Sequence, residues 1–140
     1  MQIKVKRLDP TAKIPTRSRN TDAGWDLYAT QRVRVNGGSV KVVPTGIALE
    51  IPEGYFGLLK PRSGFAVGKE SNITAGVIDS SYRGEILLAV LNVQHAPIDV
   101  IEGDRIAQII ILKLPTTTMV EVEELSETDR GSQGFGSSGQ

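Results

Sequence analysis

Turn-forming residues punctuate this chain every eight to twelve residues, and the runs between them alternate apolar and polar side chains over spans suited to short strands. Ile3 to Arg7 alternates apolar and basic residues and stops at Asp9-Pro10; Thr11 to Thr21 is a polar loop carrying Pro15. A short strand is expected at Trp25 to Ala29, and Val33 and Val35 alternate with Arg32 and Arg34. Asn36-Gly37-Gly38 predicts a hairpin turn returning through Val40 to Val43, and Ile47, Leu49 and Ile51 alternate until the turn Pro52-Glu53-Gly54. Further strands are expected at Tyr55 to Lys60, Ile73 to Ile78, Glu85 to Val93, Ile98 to Val100, Arg105 to Leu114 and Met119 to Glu123. One short helix fits, from Ser63 to about Lys69, with Ser63 as its N-cap. The expected architecture is all-β, a jelly-roll-like sandwich or barrel of short strands.

The 140 residues suit one domain able to bury its own core. Residues 1–125 carry no repeat or linker and form the expected β domain, while residues 126–140 change to a polar Gly/Ser-rich tail. Formal charge is zero, so no global field recruits nucleic acid or membrane. Lys4 to Arg34 is basic and Glu121 to Asp129 acidic, a split that two solvated faces explain. The absence of cysteine excludes disulfides, Cys-based zinc sites and thiol nucleophiles. A single histidine, His95, rules out a cage of several imidazoles within one chain. No run of eighteen apolar residues and no signal-like core is present, so the expectation is a soluble cytoplasmic protein.

Gly76-Val77-Ile78-Asp79-Ser80-Ser81-Tyr82-Arg83-Gly84-Glu85-Ile86 reads as strand, tight turn, strand, with Asp79 where the first strand stops and Tyr82 on the return. A hairpin tip of this kind offers backbone groups that can read a flat polar ligand beside a fixed carboxylate. Taken alone, its Asp and Ser residues are equally explained as turn formers. Four other segments share that ambiguity. Asp22 to Leu27 sets two carboxylates, Asp22 and Asp26, around a glycine. Pro61-Arg62-Ser63-Gly64 puts an arginine and a serine at a helix start, where unpaired N–H groups attract anions. In Gly103-Asp104-Arg105-Ile106-Ala107-Gln108, Gln108 shares a strand face with Ile106 and Ile110 and interrupts an apolar stripe with an amide. Arg130 to Gly139 sets Arg130 and Phe135 among glycines, either an idle tail or a phosphate clamp and stacking plate on a lid. Gly64 to Glu70 is not a Walker A loop: the glycine spacing is one residue short and Glu70 stands where a hydroxyl is needed.

Together, in this order and at this spacing, the five segments resemble the trimeric deoxyuridine triphosphate nucleotidohydrolases, the dUTPases. The resemblance implies a jelly-roll homotrimer that hydrolyses dUTP to dUMP and pyrophosphate with Mg²⁺, at sites shared between subunits and closed by the C-terminal tail. It implies that Asp79 activates the attacking water and that Tyr82 packs under the deoxyribose. The backbone of Gly76, Val77 and Ile78 would pair with uracil, and Arg62, Ser63, Gly64 and Gln108 would hold phosphates. Asp26 would act near the metal through bound water, Arg130 would neutralise the γ-phosphate, and Phe135 with Gly136 would cover the base. Two positions depart from the family's pattern: Trp25, where a smaller or different side chain is usual, and Gln133, in place of a glycine. A dCTP deaminase on the same fold, a β-sandwich binding module and a capsid-like jelly roll are the rival readings.

Overall fold

The computed structural model describes residues 1–134. In chain order its elements are β1 (Lys4–Arg7), β2 (Gly24–Tyr28), β3 (Val33–Val35), β4 (Val40–Glu50), β5 (Tyr55–Pro61), α1 (Ser63–Gly68), β6 (Ser71–Ile73), β7 (Val77–Ile78), β8 (Glu85–Asn92), β9 (Ile98–Val100) and β10 (Arg105–Lys113). One four-stranded sheet has the order β1-β4-β8-β6, a second the order β2-β10-β5-β7, and β3 pairs with β9 in a small ribbon. Each of these strand pairs is antiparallel.

Period-two patterning decides which face of each strand is buried. In β8, Ile86, Leu88 and Val90 point inward and are fully buried, while Leu87 turns out. They meet Val43, Ile47 and Leu49 from β4 and Leu27, Leu59, Ile106 and Ile109 from the second sheet in one continuous core. Burying each such side chain stabilises the fold by about 1.5–3 kcal/mol, which outweighs the weak intrinsic preference of strands this short. The long strand β4 runs through Pro44, which has no N–H to donate, and the ladder with β8 slips between Pro44 and Ala48. Gly46 takes a positive φ of 66° there; its N–H donates to Glu85 Oε1 at 2.7 Å, and Thr45 Oγ1 donates to the Ile86 carbonyl at 2.6 Å.

Several expected local features are corrected. The turn at Asn36-Gly37-Gly38 is present, with Ser39 N–H donating to the Asn36 carbonyl at 3.2 Å, but β3 pairs with β9 rather than with β4. The turn therefore passes the chain between sheets. The same holds for the central segment: β7 pairs with β5, whereas β8 pairs with β4 and β6. A tight turn forms at Asp79, whose carbonyl accepts from Tyr82 N–H at 3.1 Å, yet its flanking strands belong to opposite sheets. Local sequence sets a turn; which edge the returning strand joins is set by core burial. The expected strand Ile73 to Ile78 accordingly divides into the end of β6, held to β8, and β7, held to β5. Ser63 is not the helix cap. Arg62 holds that position in extended conformation and its carbonyl accepts from Phe65 and Ala66, so Ser63 is already the first helical residue. Met119 to Glu123 forms no strand among the described residues; Met119 is 98% exposed, and an extended segment with no neighbouring edge has no ladder to join.

Asn92 ends β8 fully buried and ties the end of β3 to the β8–β9 loop. Its Nδ2 donates to the carbonyls of Val35 (3.0 Å) and Ala96 (2.8 Å), and its Oδ1 accepts from Gln94 N–H (2.9 Å). Asn92→Ala strands these backbone groups and is expected to cost about 2–4 kcal/mol, read as a lowered urea midpoint. Val93→Ala, at the exposed neighbouring position, is expected to change stability by less than about 0.5 kcal/mol.

Candidate functional site

Asp26 is the most heavily engaged side chain of the expected set. It sits mid-β2 at 8% exposure, opposite Gln108 of β10. The β10 ladder places Ala107 against Pro61, the last residue of β5, and Arg62 N–H donates to the Ile106 carbonyl at 3.2 Å. Arg62 thereby reaches across β10 toward β2. Its Nε pairs with Asp26 Oδ1 at 3.0 Å, while Arg105 Nη1 takes Asp26 Oδ2 at 3.3 Å. Both carboxylate oxygens are spoken for, and Arg62 is locked in place with its terminal nitrogens left over. The sequence singles out no role for Arg105; the cue lies in the register, which seats it beside Asp26 by pairing Arg105 with Tyr28.

A polar concavity of about 280 Å³ opens over this pair, lined by Arg17, Asp22, Asp26, Arg62, Ser63 and Gln108 among others. Gln108 reaches it because β10 carries a bulge between Arg105 and Ala107. The bulge breaks the expected face-sharing of Ile106 with Gln108: Ile106, Ala107 and Ile109 are buried in the core and Gln108 turns outward. Its amide lies over Gly24, where any Cβ would overlap Oε1. Gly64, by contrast, has open space where a side chain would stand. Asp22 spends a carboxylate oxygen on Arg19 N–H at 2.8 Å, closing a turn.

The Asp79 turn builds a second, separate surface, lined by Val77, Ile78, Asp79, Tyr82, Glu85 and Leu87. Tyr82 folds back over Gly84, where a Cβ would overlap the ring, and its hydroxyl donates to the Glu85 carbonyl at 2.9 Å. Tyr82 is 42% exposed and held beside the turn. β7 is the edge of its sheet. The Gly76 carbonyl is taken by Leu59 N–H at 2.7 Å and Ile78 pairs with Gly57, so Val77 between them turns its own N–H and C=O to the open edge. Of the three residues expected to offer backbone groups to a base, Val77 is the one whose groups are free of the ladder.

These two surfaces do not meet within one chain. From β2 to β7 are three strand spacings, roughly 14 Å, and Ile78 opposes Gly57 while Gln108 opposes Lys60, a further offset of roughly 10 Å along the strands. Arg130 joins neither surface: it is exposed, with Nε donating to the Gln133 carbonyl at 3.0 Å across a local turn. Phe135 and Gly136 lie outside the described residues. No group of three or more His, Cys, Asp or Glu side chains converges as a metal cage among the described residues.

A family model described as dUTPase matches residues 10–139. The chain belongs to the dUTPase family. It is similar to the deoxyuridine 5'-triphosphate nucleotidohydrolase of Corynebacterium efficiens, 44% identical over 140 residues, covering 98% of this chain and 77% of the relative. That of Arabidopsis thaliana is 43% identical over 136 residues, covering 97% and 82%. Among solved structures, the Staphylococcus bacteriophage 80alpha dUTPase with dUpNHpp superposes with a TM-score of 0.92 at 31% identity, covering 99% of each chain. A mutant dUTPase of S. aureus phage phi11, in which a structural Mg(II) ion is coordinated, gives a TM-score of 0.82 at 29% identity, covering 89% of this chain and 98% of that one. The activity class of the chain is therefore dUTP diphosphatase, and its fold is the jelly roll expected of dUTPases.

Within this dUTPase the Asp26 pair has a structural cost attached to it. Asp26→Asn leaves two guanidinium groups without their shared carboxylate and is expected to destabilise the ligand-free protein by about 2–4 kcal/mol in thermal or urea unfolding. Gln108→Ala, in the same concavity but outside the ion pair, is expected to cost less than about 1 kcal/mol.

Proposed function

We propose that this chain cleaves dUTP between the α- and β-phosphates at a site assembled from different copies in a homotrimer. The Asp79–Tyr82 turn of one copy would face the Asp26–Arg62–Gln108 concavity of another. The observation that carries this reading is the separation of the two surfaces. The Asp79 face, about 150 Å³ and lined by two carboxylates with no basic side chain, cannot by itself hold a triphosphate, whereas Arg17, Arg62 and Gln108 line the concavity. A homotrimer would bring both onto one substrate three times over.

In this reading the free N–H and C=O of Val77, with the backbone beside it, pair with the edge of uracil, which offers acceptor, donor and acceptor in a row. Cytosine would leave these groups mismatched and desolvated, which is costly. The Tyr82 ring, held by Gly84 and the Glu85 carbonyl, lies under the deoxyribose and leaves no room for a 2′-hydroxyl. Arg62, Ser63, Gly64 and Gln108 grip the phosphate chain. Asp79 accepts a proton from water as its oxygen attacks the α-phosphorus; the bond from that phosphorus to the bridging oxygen breaks, and pyrophosphate leaves. Mg²⁺, when bound, would neutralise charge on the phosphates and hold them in line. Asp26 fits beside such an ion through water rather than as a direct ligand, because an arginine already engages each of its oxygens. Residues 1–125 act as the β domain and residues 126–140 as a lid, with Arg130 meeting the γ-phosphate and Phe135 and Gly136 covering the base. The reading places the enzyme in the cytoplasm with its nucleotide pool; among the described residues no helix is long and apolar enough to cross a membrane.

Asp79→Asn is expected to lower kcat by roughly 10²–10⁴ while a non-hydrolysable dUTP analogue still binds in calorimetry. Co-refolding Asp79→Asn chains with Arg62→Ala chains, each inactive alone, should restore pyrophosphate release at the sites that receive both intact surfaces. No recovery in verified mixed trimers would place the whole site in one copy. Deleting residues 130–140 should slow turnover without altering the mass seen by light scattering, and dissociation of the assembly on truncation would count against a lid.

A further inference from the structure

Among the basic side chains around the Asp26 concavity, Arg17 stands apart. Arg62 and Arg105 are committed to Asp26, Arg32 and Arg34 to Asp99, and Lys4 to Glu50. Arg17 is in none of the ion pairs among the described residues, although it lines the concavity together with Asp22, Asp26, Arg62, Ser63 and Gln108. Asp22 does not neutralise it: the contact between them runs from Arg17 Nη1 to the Asp22 backbone carbonyl at a long 3.4 Å, and the Asp22 carboxylate is turned to Arg19 N–H. What holds Arg17 is Trp25. The guanidinium carbon lies 4.4 Å from the centre of the indole, and Trp25 pairs across the ladder with Ile109 beside an apolar groove that Arg17 also lines.

Stacking occupies the face of a guanidinium and leaves its edge, where the N–H donors point, free to bind oxygen. A half-buried arginine fixed by its face, without a carboxylate partner, and standing at a concavity that already holds Arg62 and Gln108 is built to receive an anion. We propose that Arg17 is a further phosphate-binding residue of this site, engaging the pyrophosphate end of the substrate, and that Trp25 is the residue that positions it. The inference rests on the assignment of the concavity to phosphate made above. It gives Trp25, one of the two positions at which this chain departs from the family's usual pattern, a role in binding as well as packing.

The test compares Arg17→Gln, Arg17→Lys, Trp25→Phe, Trp25→Ala and the double variant Arg17→Gln/Trp25→Ala in steady-state dUTP hydrolysis, with inhibition by pyrophosphate and by dUMP measured separately. Wild type must hydrolyse dUTP and Asp79→Asn must be slower by roughly 10²–10⁴; failure there overturns the proposed function itself. Given that, Arg17→Gln is expected to raise KM for dUTP and weaken pyrophosphate inhibition by roughly 10–100-fold, with dUMP inhibition unchanged within about twofold. Arg17→Lys, which keeps the charge but loses the planar fork, should fall between. Trp25→Phe should stay near wild type, Trp25→Ala should weaken pyrophosphate inhibition by a smaller factor, and the double variant should be no worse than Arg17→Gln, because the indole acts through the arginine. An unchanged pyrophosphate response in Arg17→Gln, an equal loss for dUMP and pyrophosphate, or strictly additive effects in the double variant would each overturn the assignment.

Discussion

One aspartate joins three parts of the chain that are far apart in sequence. Asp26 on β2 draws in Arg62 from the junction of β5 and α1, and Arg105 from the start of β10. A carboxylate at 8% exposure is costly to desolvate unless it is paired, and here a guanidinium nitrogen sits at each oxygen. The β10–β5 ladder and the Arg62 N–H on the Ile106 carbonyl bring the segment after Pro61 beside β2, and the pairing fixes the Arg62 side chain there. Without it, two arginines would compete for solvent and the concavity would lose the order of its walls.

That arrangement also limits what Asp26 can do. A side chain already serving two arginines has little capacity to ligate a metal directly. The sheet order puts the Asp79 turn at the far edge, three strands away from Asp26. The proposed sharing of the site between copies rests on that spacing more than on any single contact.

The architecture was legible in the sequence because period-two burial is a local signal, and Ile86, Leu88 and Val90 announce their common face without reference to anything else. The turns at Asn36–Gly38 and Asp79–Tyr82 were legible too, as backbone preferences. Strand partnership was not. Whether β7 returns to β8 or joins β5 depends on which edge is vacant and which core faces must be covered, and no window of ten residues contains that information. The bulge that turns Gln108 away from Ile106 was hidden for the same reason, since alternation predicts a face only while the ladder is unbroken. Arg62, Ser63 and Gln108 were found as a group through the resemblance; Arg17 and Arg105 had to wait for the register of β10 and the stack on Trp25. The role of the tail was read from sequence alone, and the described part of it, with Arg130 turned to its own neighbour Gln133, stands apart from both surfaces.

Because β7 hangs from one sheet and β8 from the other, the short loop between them works as a strap across the sandwich. The residues from Asp79 to Gly84 could reach well beyond the roughly 10 Å between packed sheets, and the Asp79–Tyr82 turn and the Tyr82 hydroxyl on the Glu85 carbonyl take up that excess. Asp79 therefore belongs to neither sheet and is held between them by the backbone on both sides.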